Sequence, residues 1–93
     1  MAYDVKPGRH FWRSPTVREC RNGPWAGEFR ATLKRLGGAD NLPRGDDLKV
    51  NVPPVGVAYG VAVGPYLLLY RVNAKRQCVL AAMRRAEPWE LEP

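Results

Sequence analysis

The feature that most constrains this chain is the segment 55–63, in which side-chain size alternates strictly. Val or Tyr occupies each odd position from Val55 to Val63, and Gly or Ala occupies each even position between them. A period of two is typical of a β-strand, whose successive side chains point to opposite faces. We therefore predict a strand with one bulky face and one nearly bare face. A bare face permits close approach by either a packed element of the same chain or a ligand.

Two more strands are predicted after this one, and a shorter one before it. The segment Tyr66–Val72 is apolar at almost every position, which indicates a central strand buried on both faces. A polar turn at 73–76 leads into a third strand at 77–83. Before the alternating segment, apolar and polar residues alternate over Leu48–Val52 until two prolines end the pattern. The second half of the chain therefore predicts an antiparallel sheet built from hairpins.

The first half of the chain predicts helices. Trp25, Phe29, Leu33 and Leu36 recur with the helical period, so we expect them to form the face that covers the sheet. The glycines at 37–38 favour a left-handed cap at the end of this helix.

Shorter elements are predicted on either side of this helix. Ser14 is placed to cap a short helix at 16–20, with Pro15 at its first position. The segment 2–13 is interpreted as two short extended pieces joined by a turn, and 39–47 as a loop. The tail 87–90 is interpreted as an acidic segment with one aromatic residue.

A chain of 93 residues suits one domain with one core. We therefore expect a single α+β domain over 1–93, in which a small antiparallel sheet of three or four strands packs against one or two N-terminal helices. Cys20, Cys78 and His10 do not form a metal-ligand or disulfide pattern. We expect no metal and no small-molecule cofactor. The sequence has no apolar leader and no apolar stretch of membrane-spanning length, so we expect a cytoplasmic protein with no membrane partner.

Basic residues exceed acidic ones by six and are concentrated in two blocks. Residues 1–35 carry eight basic and three acidic side chains, and residues 71–86 carry five basic side chains and no acidic one. If both blocks share one face, that face suits the phosphate backbone of a nucleic acid. The alternative is a solvated basic surface without a ligand.

The second basic block supplies the candidate catalytic residues, which are Arg71, Arg84 and Arg85 together with Tyr70. Arginine holds phosphate oxygens and stabilises the charge that develops when a ribose 2′-OH attacks its own phosphodiester, whereas an aromatic ring stacks on a base. Such a set predicts metal-independent RNA cleavage. The alternatives are a solvated strand end or an ion pair between Arg71 and the acidic tail. The residues expected to bind nucleic acid without a catalytic role are Lys75, Arg76, Trp89, Arg30 and Lys34.

The segment 58–72 followed by 78–85 carries a family resemblance. The predicted order begins with a short strand and helices. They are followed by a strand, a Gly turn, a strand containing Tyr70-Arg71, a polar turn and an apolar strand that ends in basic residues. This order resembles the RelE/ParE superfamily of toxins from bacterial toxin-antitoxin pairs. The resemblance implies a small basic toxin that is neutralised by an antitoxin wrapping it. In the RelE branch the implied activity is cleavage of messenger RNA on the ribosome, and in the ParE branch the implied target is DNA gyrase.

Only some of the family's functional residues have a counterpart at the matching positions of this sequence. The basic residues that the RelE branch places on its first long strand fall on Gly60 and Ala62, and its arginine after the Gly-Tyr turn falls on Leu67. Arg84 or Arg85 corresponds to the basic residue that ends the last strand. Trp89 corresponds to the aromatic residue near the C-terminus.

We therefore expect the toxin of a type II toxin-antitoxin pair. It would act as a ribosome-dependent endoribonuclease or in a ParE-like way on gyrase, with a cognate antitoxin and RNA or the ribosome as partners. One alternative is a non-catalytic basic module that binds nucleic acid or the ribosome. Another is a protein-interaction domain whose bare strand face, 56–64, accepts a partner helix or strand.

Overall fold

The computed structural model of the chain describes residues 3–52 and 56–91. Its elements are β1 (Asp4–Pro7), a 3₁₀ turn (Phe11–Arg13), α1 (Pro15–Asn22), α2 (Ala26–Gly38), β2 (Leu48–Val52), β3 (Gly56–Val63), β4 (Tyr66–Val72), β5 (Gln77–Arg85) and α3 (Pro88–Leu91). The predicted α+β class is confirmed. No helix in the described ranges is both long enough and apolar enough to cross a membrane.

The strands form one five-stranded sheet in the order β1-β5-β4-β3-β2. The run β3-β4-β5 is antiparallel with β4 in the centre, as the sequence predicts, and β2 adds an antiparallel edge. The sheet is nevertheless mixed, because β1 pairs with β5 in parallel. The expectation of a purely antiparallel sheet of three or four strands is therefore wrong. Val55, which the sequence assigns to a strand, lies outside the described residues.

The main core lies between the sheet and the two long helices. Tyr70, Leu68 and Val63 on the sheet are completely buried. The helical layer packs against this face through Phe11, Val17 and Phe29. The aromatic and aliphatic side chains of the two halves thus form one hydrophobic core, whose burial is the main term that favours folding.

A smaller apolar cluster lies on the other face of the sheet, around Ala58, Leu67 and Leu69. The nearly bare side of β3 belongs to this face. A Cβ added at Gly60 would lie 2.9 Å from the Cδ1 atom of Leu67, so the leucine of the next strand fills the space above the glycine. At this position the close neighbour is a side chain of the same sheet.

The helices follow the predicted pattern with two differences. The hydroxyl of Ser14 accepts a hydrogen bond from the Val17 amide at 3.4 Å, which confirms the predicted cap of α1.

In α2, however, Phe29, Thr32 and Leu36 are the buried residues, whereas Trp25 is 40% exposed. The predicted left-handed cap is also wrong, because both glycines remain within α2 and Ala39, which follows it, is extended. Helical geometry at Gly37 lets its carbonyl accept a hydrogen bond from the Tyr3 amide of the chain entering β1.

Two segments differ from their sequence interpretation. The second extended piece predicted before Ser14 is instead the 3₁₀ turn Phe11–Arg13, because Phe11 turns inward and stacks on Phe29 at a ring-centroid distance of 6.5 Å. The C-terminal tail forms the short helix α3, which the sequence pattern does not predict. This helix folds back on β5, and its position determines the environment of Arg84.

Candidate nucleic-acid interface

The sheet does not gather the candidate arginines on one accessible side. Arg84 and Arg85 are consecutive in β5, so their side chains point to opposite faces, and they lie across from Leu67 and Tyr66 respectively. Arg71 pairs with Val79 near the other end of the hairpin. At about 3.3 Å per residue, it lies about 13 Å along β4 from the position opposite Arg84. The structure therefore does not bring the three predicted catalytic arginines together at one place.

Arg84 already has an anionic partner inside the chain. Its Nη1 and Nη2 atoms each donate a hydrogen bond of 2.7 Å to one carboxylate oxygen of Glu90. The Glu90 side chain is only 1% exposed, and the hydrogen bonds from Arg84 lower its pKa from 4.5 to about 2. The Glu87 amide donates a further hydrogen bond to the same carboxylate at 2.7 Å. Arg84 thus fastens α3 to β5, and the sequence gives no sign of this pairing.

Arg85 lies on the helical face of the sheet. Its Nη2 atom donates to a carboxylate oxygen of Glu19 in α1 at 2.9 Å, and its guanidinium lies 5.3 Å from the centre of the Tyr66 ring. Both charged side chains of this ion pair are more than half exposed. Exposed pairs of this kind contribute about 0–1 kcal/mol, so an anionic ligand can compete for Arg85.

Tyr70 is completely buried and faces the helical layer. Its hydroxyl donates a short hydrogen bond to the carboxylate of Asp47, and burial raises the pKa of Tyr70 well above its usual range. A buried, protonated phenol can neither stack on a base nor take up a proton at neutral pH. The predicted catalytic or stacking role of Tyr70 is therefore incompatible with its position.

The Tyr70 hydroxyl can be buried because the Asp47 carboxylate accepts its hydrogen bond. The Asp47 side chain is 3% exposed and also accepts a hydrogen bond of 3.3 Å from the Arg44 amide, while Arg44 Nε lies 3.7 Å from its other oxygen. From the sequence, Asp47 is predicted only to lie in a polar loop. The carboxylate anchors that loop to the centre of the sheet.

The predicted nucleic-acid-binding residues fall into three places. Lys75 is exposed in the turn between β4 and β5. Arg76 beside it has a structural role, because its guanidinium lies 4.1 Å from the centre of the Tyr3 ring and its Nη2 donates to the Asp40 carbonyl at 2.9 Å. Trp89 is 62% exposed on α3. Arg30 and Lys34 lie on α2.

Arg71 and Arg30 each line a separate cavity. Arg71 borders one of about 380 Å³ at the end of the sheet, together with Val57 and Tyr59. Arg30 borders one of about 270 Å³ between the helices, together with Trp12 and Arg21. The sequence pattern does not predict the second cavity, although its Trp and Arg residues all lie in the first basic block. In the parts of the chain that the structure describes, no group of three or more His, Cys, Asp or Glu side chains is arranged to hold a metal ion.

Family models and curated proteins were each compared with this sequence. No protein-family model matches it. A search of curated proteins also gives no significant match.

Proposed function

We propose that this chain is the cytoplasmic toxin of a type II toxin-antitoxin pair, built on a RelE/ParE-like scaffold. The observation that supports the proposal is the order of elements along the chain. A short β1, α1 and α2 precede the antiparallel run β3-β4-β5. The segment with the family resemblance, 58–85, coincides with that run. The partner that follows from this proposal is a cognate antitoxin protein.

We further propose that the toxin acts by binding its target, in a ParE-like way on gyrase, and not by cutting messenger RNA. Cleavage at a phosphodiester needs cations held where charge develops in the transition state. Arg84 is engaged by Glu90, and Arg85 points to the opposite face of β5. The positions where the RelE branch has basic residues carry Gly60, Ala62 and Leu67. These features favour the ParE-like alternative.

The sheet offers a protein partner a suitable edge. Within the described residues, β2 pairs only with β3, so its outer edge has no neighbouring strand. β2 begins at Leu48, opposite Gly60, so the last residues of β3, 61–63, have no partner in β2. An unpaired edge accepts an added strand through main-chain hydrogen bonds, and adjacent apolar side chains supply specificity. Leu48 and Val50 provide such side chains on the smaller apolar cluster.

Induced expression in a bacterial host tests this proposal. We expect growth arrest, intact messenger RNA, and inhibition of DNA supercoiling when purified protein is added to gyrase. Arg85→Ala is the matched test for cleavage, because its ion pair is exposed and its loss leaves the fold intact. Harmless expression of folded wild-type protein would contradict the toxin proposal. Messenger RNA fragments that disappear with Arg85→Ala would instead favour the nuclease alternative.

A further inference from the structure

The cavity between α1 and α2 follows from the way the two helices are joined. α1 ends at Asn22 and α2 begins at Ala26, so only a short turn separates them. Ala26 has a small side chain at the start of α2, and it leaves space that a larger residue would fill. The resulting cavity of about 270 Å³ is called the helix cavity below, and it is lined by Trp12, Arg21, Asn22, Phe29, Arg30 and Leu33 in addition to Ala26.

The wall of the helix cavity is aromatic and held in place. The Trp12 ring contacts Phe11 edge-on at a centroid distance of 5.1 Å and Phe29 edge-on at 6.3 Å. Both phenylalanines are 2% exposed, whereas Trp12 is 37% exposed. Trp12 is therefore anchored by the core and still presents part of its ring to solvent. A fixed, partly exposed indole is a suitable surface for stacking a nucleobase.

Two cations border this aromatic wall. The Arg21 guanidinium lies over the Trp12 ring, 4.7 Å from its centre, so a base that stacks on this face takes the place of the guanidinium. Arg30 lines the cavity from α2. Neither arginine forms an ion pair with any residue in 3–52 or 56–91. The acidic residues of the two helices do not line the cavity, and one of them, Glu19, is already bound by Arg85. Arginine binds phosphate oxygens with two parallel hydrogen bonds, so the cavity combines a stacking surface with phosphate-binding groups.

We propose that the helix cavity binds one base and the adjacent phosphate of single-stranded RNA. Its volume lies just below the range of about 300–1,000 Å³ for pockets that hold drug-sized ligands, which suits one ring system. Asn22 supplies an amide donor and acceptor for the edge of a base. An extended acidic peptide is less suited, because the cavity is formed by helices and offers no strand edge for main-chain pairing. The inference goes beyond the proposed function, since these helices lie outside the segment that carries the toxin proposal.

Binding of a labelled ten-nucleotide single-stranded RNA tests the stacking part of the proposal. An abasic oligomer with the same number of phosphates is the matched ligand. We expect Trp12→Leu to weaken binding of the RNA about tenfold or more, and to leave binding of the abasic oligomer unchanged. Equal affinity of the wild type for the two oligomers would overturn the proposal, because binding would then be electrostatic alone.

A pair of charge-matched variants tests the phosphate part and does not depend on Trp12. Arg21→Gln with Arg30→Gln should weaken RNA binding, and should reduce the slope of log affinity against log salt by about 0.7 for the one adjacent phosphate. Arg71→Gln with Lys75→Gln removes the same charge from the β4–β5 hairpin and should have a much smaller effect. If the second pair weakened RNA binding as much as the first pair, the assignment would be overturned. Wild-type protein that binds an acidic aromatic peptide but no RNA would also overturn the assignment. Growth arrest is a separate readout, so failure of the toxin proposal is distinguishable from failure of this one.

Discussion

Removing the hydroxyl of Tyr70 should destabilise the fold, because that hydroxyl donates to a carboxylate that is almost completely buried. Tyr70→Phe leaves the ring in the core and leaves Asp47 with one donor fewer. A hydrogen bond to a buried charged group contributes about 1.5–3 kcal/mol. In a domain of this size, a loss of about 2 kcal/mol lowers the melting temperature by roughly 8–16 °C. The total free energy of unfolding of such domains is about 5–15 kcal/mol, so the loss is a substantial fraction of it.

Urea unfolding followed by far-ultraviolet circular dichroism measures this loss. Tyr59→Phe is the matched control, because the Tyr59 ring lies 5.9 Å from that of Tyr70 and its hydroxyl has no hydrogen-bond partner in the described chain. We expect the control to change stability by less than about 0.5 kcal/mol. Asp47→Asn combined with Tyr70→Phe should cost less than the sum of the single changes, because both remove one interaction. Equal losses in Tyr59→Phe and Tyr70→Phe would refute this reasoning.

Two further changes test other contacts. Glu90→Gln should reduce stability at pH 7 by about 1 kcal/mol, because it removes the ion pair with Arg84, whereas Glu87→Gln should have little effect. The pKa of Glu90 is lowered from 4.5 to about 2, so its contribution is complete above about pH 4.5 and is lost as pH falls toward 2. Urea unfolding at several pH values should show the difference between variant and wild type shrinking in that window, and a constant difference would contradict the assignment. Gly64→Ala should cost more than about 1 kcal/mol in thermal unfolding, because φ is +56° and the new Cβ would lie 2.3 Å from Trp25. Gly45→Ala meets no atom within 4 Å and should be nearly neutral, so equal melting temperatures would show that the Trp25 contact is absent.

The antiparallel half of the fold was predictable because local patterns specify it. Strict alternation gives β3, and an apolar run bounded by turns gives β4. The position of β1 was not predictable in the same way. It is a four-residue strand with mostly exposed side chains, and its parallel pairing with β5 joins residues more than seventy positions apart. No local periodicity encodes such a contact.

The candidate site was less predictable than the fold. A basic block in the sequence shows charge but not which acidic group neutralises it. Arg84 meets Glu90 only because the tail folds into α3, and Tyr70 meets Asp47 only because the loop reaches across the sheet. The cavity at Trp12 was missed because the residues around it were interpreted as extended, whereas a 3₁₀ turn brings the indole against α2.

We propose that RNA binds this protein at the helices and not at the hairpin arginines. Each of the three tryptophans gives one indole N–H signal in a ¹H–¹⁵N correlation spectrum, and these report on different parts of the surface. Titration with the single-stranded RNA should shift the Trp12 signal progressively and leave that of Trp89 in place. A shift at Trp89 with no change at Trp12 would contradict the claim.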